Sequence, residues 1–368
     1  CLPTRNFRES IFKEADSISG DEMEKYKIAM RACFACGMPC GNYVCSKVGD
    51  DWGTICTEID YENVCMLGSN LGIGDFNRII KLVRTCNLLG LDTISSGSVI
   101  GFVMELTERD LWPKSIDLPV RPRFGDSEAA EELLHMIAYR KGVGNILAEG
   151  VKKLSEIVGE ESTKFAMHVK GLEITAYESR AAPAMALAYG TADIGAHHNR
   201  AWVIAKEIMS GKRLEVDREK VEWVIDLQHR RSLFDMLTVC RLPWIELGLN
   251  YNYYAEFLTY ATGIKFTVKE LLKVAERVYN LTRCIWAREV KDFGRKYDLI
   301  PSRWMEEPLP SGPFRGHYID SGDYMKMLDW YYELRGWNKE TGLPTVRKLE
   351  ELGLSDVARE LESLKIIK

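Results

Sequence analysis

Three cysteines packed into the run Cys33-Phe34-Ala35-Cys36-Gly37-Met38-Pro39-Cys40 constrain this chain more than any other feature. A CxxCxxxC run is expected to put three thiolates within a few ångströms on one turn of chain. That geometry suits a cubane iron–sulfur cluster, which needs four soft sulfur ligands. Three other readings of these residues exist. Structural zinc ordinarily takes a second CxxC or CxxH pair, which the sequence lacks. A dithiol redox pair opens a helix after a strand in a thioredoxin-like unit, and none is visible. The third reading is that of small buried apolar residues. Spacing leaves the fourth ligand open among Cys45, Cys56, Cys65, Cys86, Cys240 and Cys284.

The 368 residues, 46% of them hydrophobic, suffice for one large or two medium cores. A formal net charge of −5, with acids and bases interspersed, argues against nucleic acid as a partner. No apolar run reaches the length of a membrane span and no signal peptide is visible, so no membrane insertion is expected. Ten cysteines without disulfide-like pairing read as reduced thiols and metal ligands, which points to the cytoplasm. The chain opens Cys1-Leu2-Pro3-Thr4-Arg5-Asn6-Phe7, without methionine, in what reads as mid-protein text. The expectation is a missing or removed N-terminal segment, or a split gene.

Helical periodicity dominates, and the fold class read from it is mainly α. Ser19-Gly20-Asp21 caps a predicted helix over 22–30. Apolar spacing predicts further helices over 76–89, 128–140, 145–158, 216–239, 251–261 and 267–290. Ser127 is the expected cap of the second of these. Strand-like runs are few, and 165–169 with 171–174 fit one hairpin. A polar stretch at 159–163 places a domain boundary after residue 162, giving domains 1–162 and 163–368. The segment 301–322, rich in proline and glycine, reads as a long irregular loop.

Several further segments, taken with the cysteine run, carry a resemblance. They are Leu2-Pro3-Thr4-Arg5-Asn6-Phe7, Tyr61-Glu62-Asn63 leading to Leu67-Gly68-Ser69-Asn70-Leu71-Gly72, and Gly90-Leu91-Asp92-Thr93. Leu147-Ala148-Glu149-Gly150, Lys170-Gly171-Leu172-Glu173, Gly195-Ala196-His197-His198-Asn199-Arg200 and the stretch 332–344 follow in one order. Together they resemble the aldehyde:ferredoxin oxidoreductase family, over essentially the whole chain. Members of that family carry a tungsten, sometimes molybdenum, bis-pyranopterin cofactor beside a [4Fe–4S] cluster. The resemblance implies two helical domains of that type without the family's N-terminal β-rich pterin-binding domain. A separate subunit or segment would then complete the pterin site.

The resemblance also implies roles. Cys33, Cys36, Cys40 and Cys240 would hold the cluster, Cys240 ending the second of two DxxGL(C/D) motifs. Those motifs would each offer a carboxylate to the amino and N–H edge of one pterin, with Mg2+ bridging the pterin phosphates. Here they read Asn87-Leu88-Leu89-Gly90-Leu91-Asp92 and Asp235-Met236-Leu237-Thr238-Val239-Cys240. Asn87 departs from the first acid, and Thr238-Val239 from Gly-Leu. Asn87, Gly90, Asp92, Asp235 and Arg200 are thus the expected cofactor-binding residues. Glu62 and His198, with neighbouring His197, fall where the family has an acid and a histidine near the metal, for proton handling and for hydrogen bonding the substrate oxygen. Cys65, three residues after Glu62, is a candidate tungsten ligand of the kind found in the related benzoyl-CoA reductase branch. Arg5 sits where that branch would handle substrate or protons.

Three functions compete. The first is oxidation of a small-molecule aldehyde to a carboxylic acid with ferredoxin as acceptor. The second is the active-site subunit of an ATP-independent aromatic acyl-CoA reductase, fed by iron–sulfur electron-transfer subunits. The third is a non-catalytic electron-relay or scaffold paralogue, favoured by the altered Asn87 and Thr238.

Overall fold

Helix Phe76–Leu89 shows how local signals and packing agree in this chain. Asp75 caps it through Asn77 and Arg78 N–H, Phe76, Ile79, Ile80, Leu82, Val83 and Cys86 are buried, and Gly90 ends it in the left-handed region. The computed structural model describes residues 1–48 and 51–368. In chain order the elements are α1 (Gly20–Glu24), β1 (Lys27–Arg31), β2 (Gly41–Val48), β3 (Asp51–Ile59), α2 (Tyr61–Leu67), α3 (Phe76–Leu89), α4 (Thr93–Glu108) and α5 (Ser127–Ala138). There follow α6 (Gly144–Leu147), α7 (Gly150–Val158), α8 (Glu160–Thr163), β4 (His168–Val169), β5 (Leu172–Glu173), α9 (Pro183–Thr191), α10 (Ile204–Met209) and α11 (Arg218–Leu237). The last are α12 (Leu242–Leu247), α13 (Tyr251–Thr262), α14 (Val268–Glu289), α15 (Ser302–Glu306), α16 (Ser321–Arg335), α17 (Val346–Glu351) and α18 (Ser355–Ser363). The expectation of a mainly α chain is met.

Two compact units divide this chain, and they divide it differently from the boundary read after residue 162. The first unit comprises Cys1–Ala181, Gly195–His197 and Ile300–Ile319; the second comprises Ala182–Ile194, His198–Leu299 and Asp320–Lys368. The polar stretch at 159–163 is only the start of α8, and the β4–β5 hairpin beyond it stays with the first unit. That hairpin is the expected one. Lys170 and Gly171 at its tip both have positive φ, as a two-residue turn between right-twisting strands requires.

In the first unit α4 is buried along Ser96–Leu106 and forms the centre of the core. A Cβ on Gly97 would come within 2.4 Å of the Met66 carbonyl, so glycine there lets α2 lie against α4. The second unit has a similar central helix in α9, buried throughout. Its first turn is capped from outside: Glu207 accepts from Ala184 and Met185 N–H while paired with Lys220 at 3.1 Å, both side chains of the pair being out of water. Among the described residues no single helix is long and apolar enough to cross a membrane.

Three further expectations fail, each for a non-local reason. The helix predicted over 22–30 stops at Glu24, and 27–31 is a strand paired antiparallel with β2. Pairing to a distant strand outweighs local helix propensity there. The segment 301–322 is not wholly irregular: it contains α15, whose Arg303 and Trp304 are fully buried in the first unit. Finally, the cysteines are not all reduced. Cys45 and Cys56 are directly opposed on β2 and β3 and form a disulfide. Their separation in sequence hides a pairing that only the hairpin register creates.

One feature of the first unit has no sequence signal. Arg5, Asn6 and Phe7 have φ of 49°, 56° and 57°, three consecutive non-glycine residues in the left-handed region. Buried partners hold them there. Arg5 and Asn6 N–H donate to the Ser69 and Asn70 carbonyls. Arg303 donates to the Asn6 carbonyl at 2.6 Å, and Arg180 to those of Phe7 and Arg8 at 2.5 and 3.0 Å. Both arginines are paired in turn, Arg303 with Glu105 and Arg180 with Glu178. The Arg303 charge next to it holds the Glu105 carboxyl below the usual range despite its burial, which alone would raise it.

Candidate functional site

The ten cysteines sort by environment. Cys33, Cys36, Cys40 and Cys240 are exposed; Cys65, Cys86 and Cys284 are buried; Cys1 is intermediate, and Cys45 and Cys56 are bonded to each other. Burial pushes the thiols of Cys86 and Cys284 up to about 12, so they stay neutral and inert. The four exposed thiols are the four that the resemblance assigned to the cluster. Cys33, Cys36 and Cys40 lie on the connection between β1 and β2, where Cys36 N–H closes a turn on the Cys33 carbonyl and Ala35 is left-handed, with φ 56°. Cys36 Sγ accepts from Met38 N–H at 3.4 Å, and Cys240 Sγ from Leu242 N–H at 3.5 Å. The same i to i+2 N–H···S bond occurs at both.

Among the described residues, however, no three His, Cys, Asp or Glu side chains stand close enough to hold a metal ion. The expectation that the CxxCxxxC spacing alone gathers three thiols is therefore not met. Spacing decides which residues share a loop, not where each Sγ points.

Glu62 and Cys65 lie one turn apart on α2, which Asp60 caps in a reciprocal box with Asn63. Glu62 Oε2 accepts from Ala176 N–H at 2.8 Å, and Tyr61 donates to the carbonyl of the same residue at 2.7 Å. This fixes the Glu62 carboxyl on the segment leading to Glu178 and Arg180. Cys65 is buried with its sulfur 3.4 Å from Ser69 Oγ and 3.9 Å from the Pro3 carbonyl. Burial drives its thiol far above the ordinary cysteine range, with the Glu62 charge adding to the rise and the Ser69 contact opposing it.

The two DxxGL-type motifs turn out to be two helix ends of one design. α3 ends with Leu91 N–H on the Cys86 carbonyl, and α11 with Val239 N–H on the Phe234 carbonyl, the closure of a Schellman motif. Gly90 at φ 68° and Thr238 at φ 52° fill the left-handed position. Asn87 donates to Thr57 Oγ1 at 2.8 Å. Asp92 is exposed and caps α4, accepting from Ser95 N–H at 2.7 Å. Asp235 is exposed and paired with Arg200, which Asp193 grips from its other side at 2.7 Å. Burial lowers the pKa of Arg200, but Asp193 and Asp235 outweigh it and raise the guanidinium above its usual value.

His197 belongs to the first unit and is partly exposed; His198 is buried in the short turn His198–Arg200 of the second. Of the predicted residues, the structure brings together Arg200 with Asp235 and Glu62 with Cys65. The sequence reading missed Arg231, one turn before Asp235 on α11. It is 3% exposed, and its Nε and Nη1 have no hydrogen-bond partner among the described residues. Burial, with Arg241 adding to it, lowers its pKa to about 10. A buried guanidinium with unused donors is a place where an anion completes the set. No pattern in the sequence marks it. The exposed Cys240 thiol with its N–H···S bond and the unfilled donors of Arg231 both fit a negatively charged iron–sulfur cluster or pterin phosphate at this end of α11.

Residues 1–354 match the family described as aldehyde ferredoxin oxidoreductase, domains 2 and 3. The chain belongs to that family. It is 36% identical over 364 residues to a tungsten-containing aldehyde ferredoxin oxidoreductase of Pyrococcus abyssi, a match covering 96% of this chain and 58% of that protein. The corresponding protein of Thermococcus kodakarensis is 34% identical over 96% of this chain and 57% of its own length. An aliphatic sulfonate oxidoreductase, WOR-like subunit, of Pyrococcus furiosus is 30% identical over 99% of this chain and 56% of that protein. The chain thus spans a little over half the length of these relatives. Among solved structures, the active site complex BamBC of benzoyl coenzyme A reductase, bound to 1,5-dienoyl-CoA, shares the fold. Its TM-score is 0.75 at 21% identity, over 97% of this chain and 57% of that one.

Proposed function

We propose that this chain is the helical, cluster-bearing part of a tungsten- or molybdenum-pterin oxidoreductase that converts an aldehyde to a carboxylic acid and passes the electrons to ferredoxin. The observation that carries the reading is the sorting of the cysteines: in a chain of this family, the four exposed cysteines, all outside the disulfide, are the four the family pattern assigns to a [4Fe–4S] cluster. When bound, the pterin-held metal and the cluster would supply two-electron chemistry at the substrate and single-electron transfer away from it.

The chain's own residues would act as follows. Aldehyde and water together lose two protons and two electrons to become the acid. Glu62, its carboxyl held in place by Ala176 N–H, has the chemistry to take one of those protons. His198, or His197 beside it, would donate a hydrogen bond to the substrate oxygen as charge develops there. Asp235, held by Arg200, would accept from the amino and N–H edge of one pterin. At the other motif Asn87 and Asp92 would take that part, with Gly90 keeping the backbone turn open to approach, and Mg2+, when bound, would neutralise part of the pterin phosphate charge. The remaining length of the relatives corresponds to a β-rich partner or segment that completes the pterin site. The cytoplasm is the proposed compartment.

The acyl-CoA reductase reading needs Cys65 as a metal ligand. The aldehyde reading needs no such ligand; it is preferred because the relatives at 34–36% identity are aldehyde ferredoxin oxidoreductases, and Cys65 Sγ is engaged with Ser69 and the Pro3 carbonyl. Metal analysis of anaerobically purified protein, with whatever subunits accompany it, tests the proposal. About four iron atoms and about one tungsten or molybdenum per chain are expected. Colourless, iron-free material would end it. X-ray absorption at the heavy metal should count only pterin sulfurs, and a further sulfur lost in Cys65→Ala would favour the reductase instead.

A further inference from the structure

We propose that a cleft in the first unit, lined by Arg5, Arg8, Arg121 and Arg123, binds a small phosphate-bearing ligand of about nucleotide size. The cleft has a volume of about 540 Å3 and is lined also by Glu108 and Phe124. Two of its four guanidinium groups are paired, Arg5 with Glu9 at 3.1 Å and Arg8 with Glu108 at 2.8 Å. Arg121 and Arg123 are exposed and make no ion pair among the described residues. The cleft therefore carries two positive charges in excess of its neighbouring acids. Arg5 Nε is buried and has no hydrogen-bond partner among the described residues.

The arrangement is built rather than incidental. Arg5 stands in the left-handed turn and Arg8 directly follows it, and the buried pairs of Arg180 and Arg303 lock that turn. Arg8 is also held from the other side, with its guanidinium 5.4 Å from the Phe124 ring centroid. Strained backbone that the surroundings over-determine is found where side chains must be placed for binding. An adjoining cleft of about 280 Å3 shares Thr107 and Arg121, adds Lys114, Asp110 and Asp117 to the lining so that one positive charge remains in excess over the two clefts, and is walled by Trp112, whose Nε1 is fixed on the Ile116 carbonyl at 2.9 Å. Guanidinium forks match phosphate oxygens, and an indole offers a face to a planar group. The combined volume lies in the range of small-molecule sites. The charges line a concavity and not a flat face, which favours a small ligand over an acidic protein surface.

The probe is ADP, added to the intact protein with its accompanying subunits at low ionic strength and followed by calorimetry. Saturable binding, displaced by inorganic pyrophosphate, is expected. The double variant Arg121→Gln, Arg123→Gln should weaken it by roughly a hundredfold, about tenfold per lost charge-assisted contact. The charge-retaining Lys pair should recover part of the loss, and Arg84→Gln, an exposed residue outside the cleft, should change nothing. Trp112→Leu should weaken ADP but not pyrophosphate. Absence of saturable ADP binding, or equal binding by the double Gln variant, would overturn the proposal. So would displacement by a polyglutamate peptide more readily than by pyrophosphate, which would mark a docking face for an acidic protein. Both arginines are exposed and make no ion pair, so the variants should fold, and far-UV circular dichroism checks this. The outcome is independent of iron and tungsten content, so failure here leaves the metal-centre reading standing, and the reverse.

Discussion

The C-terminal ends of α3 and α11 are the same device put to different uses. Each closes with the same backbone bond over a left-handed residue, and each sends the chain two residues on to a chemically committed side chain. After α3 that side chain is Asp92, which caps the next long helix; after α11 it is Cys240, whose sulfur is exposed and already receives an N–H. Three residues before the left-handed position, Asn87 makes a neutral bond to Thr57, whereas Asp235 carries an ion pair to Arg200. The difference teaches that a motif repeated in sequence fixes a backbone shape. The side chains placed on that shape then differ in chemistry: a neutral amide and a capping carboxylate after α3, an ion-paired carboxylate and an exposed thiol after α11.

The largest test of this contrast removes the thiol. Cys240→Ala in anaerobically purified protein should abolish the iron–sulfur absorbance, while the matching change Asp92→Ala should leave it; a cluster surviving without Cys240 would move the fourth ligand to another cysteine. Next in size is Gly90→Thr. A side chain there meets nothing within 4 Å, so the cost is backbone strain alone, roughly 1–2 kcal/mol by denaturant titration. Asp92→Ala loses the cap of α4 and should cost about 1 kcal/mol in the same assay. Thr238→Gly should go the other way, raising stability by about 1 kcal/mol as it relieves a β-branched residue at positive φ, partly offset by the freedom of glycine in the unfolded chain. No gain would mean that Thr238 is held by more than the helix end. The smallest stability effect is expected from Asp235→Ala, at most about 1 kcal/mol because the carboxylate is largely exposed, with cofactor content as the more sensitive readout.

Much of the helical framework was legible. The predicted helix over 76–89 matches α3 residue for residue, and the one predicted over 267–290 is α14 with one residue too many at each end, Thr267 being its cap. The cap of α5 is Asp126 and not Ser127, one residue from the expectation, and 145–158 is two helices broken at Ala148–Glu149. Of the candidate site, the identity of the four exposed cysteines followed from the family pattern, whereas Arg231 was invisible. A buried arginine looks, in sequence, like any solvated arginine on a helix.

By itself the sequence determined the elements whose hydrogen bonds and caps lie within a few residues of one another, and the residue types that could serve an iron–sulfur and pterin centre. Only the tertiary structure decided what depends on distant partners: the strand at 27–31, the Cys45–Cys56 bond, the left-handed turn held by Arg180 and Arg303, and which thiols face water. The physical reason is range. Helix closure is settled over four residues, while burial, ion pairing and strand register are settled by whatever the rest of the chain brings alongside.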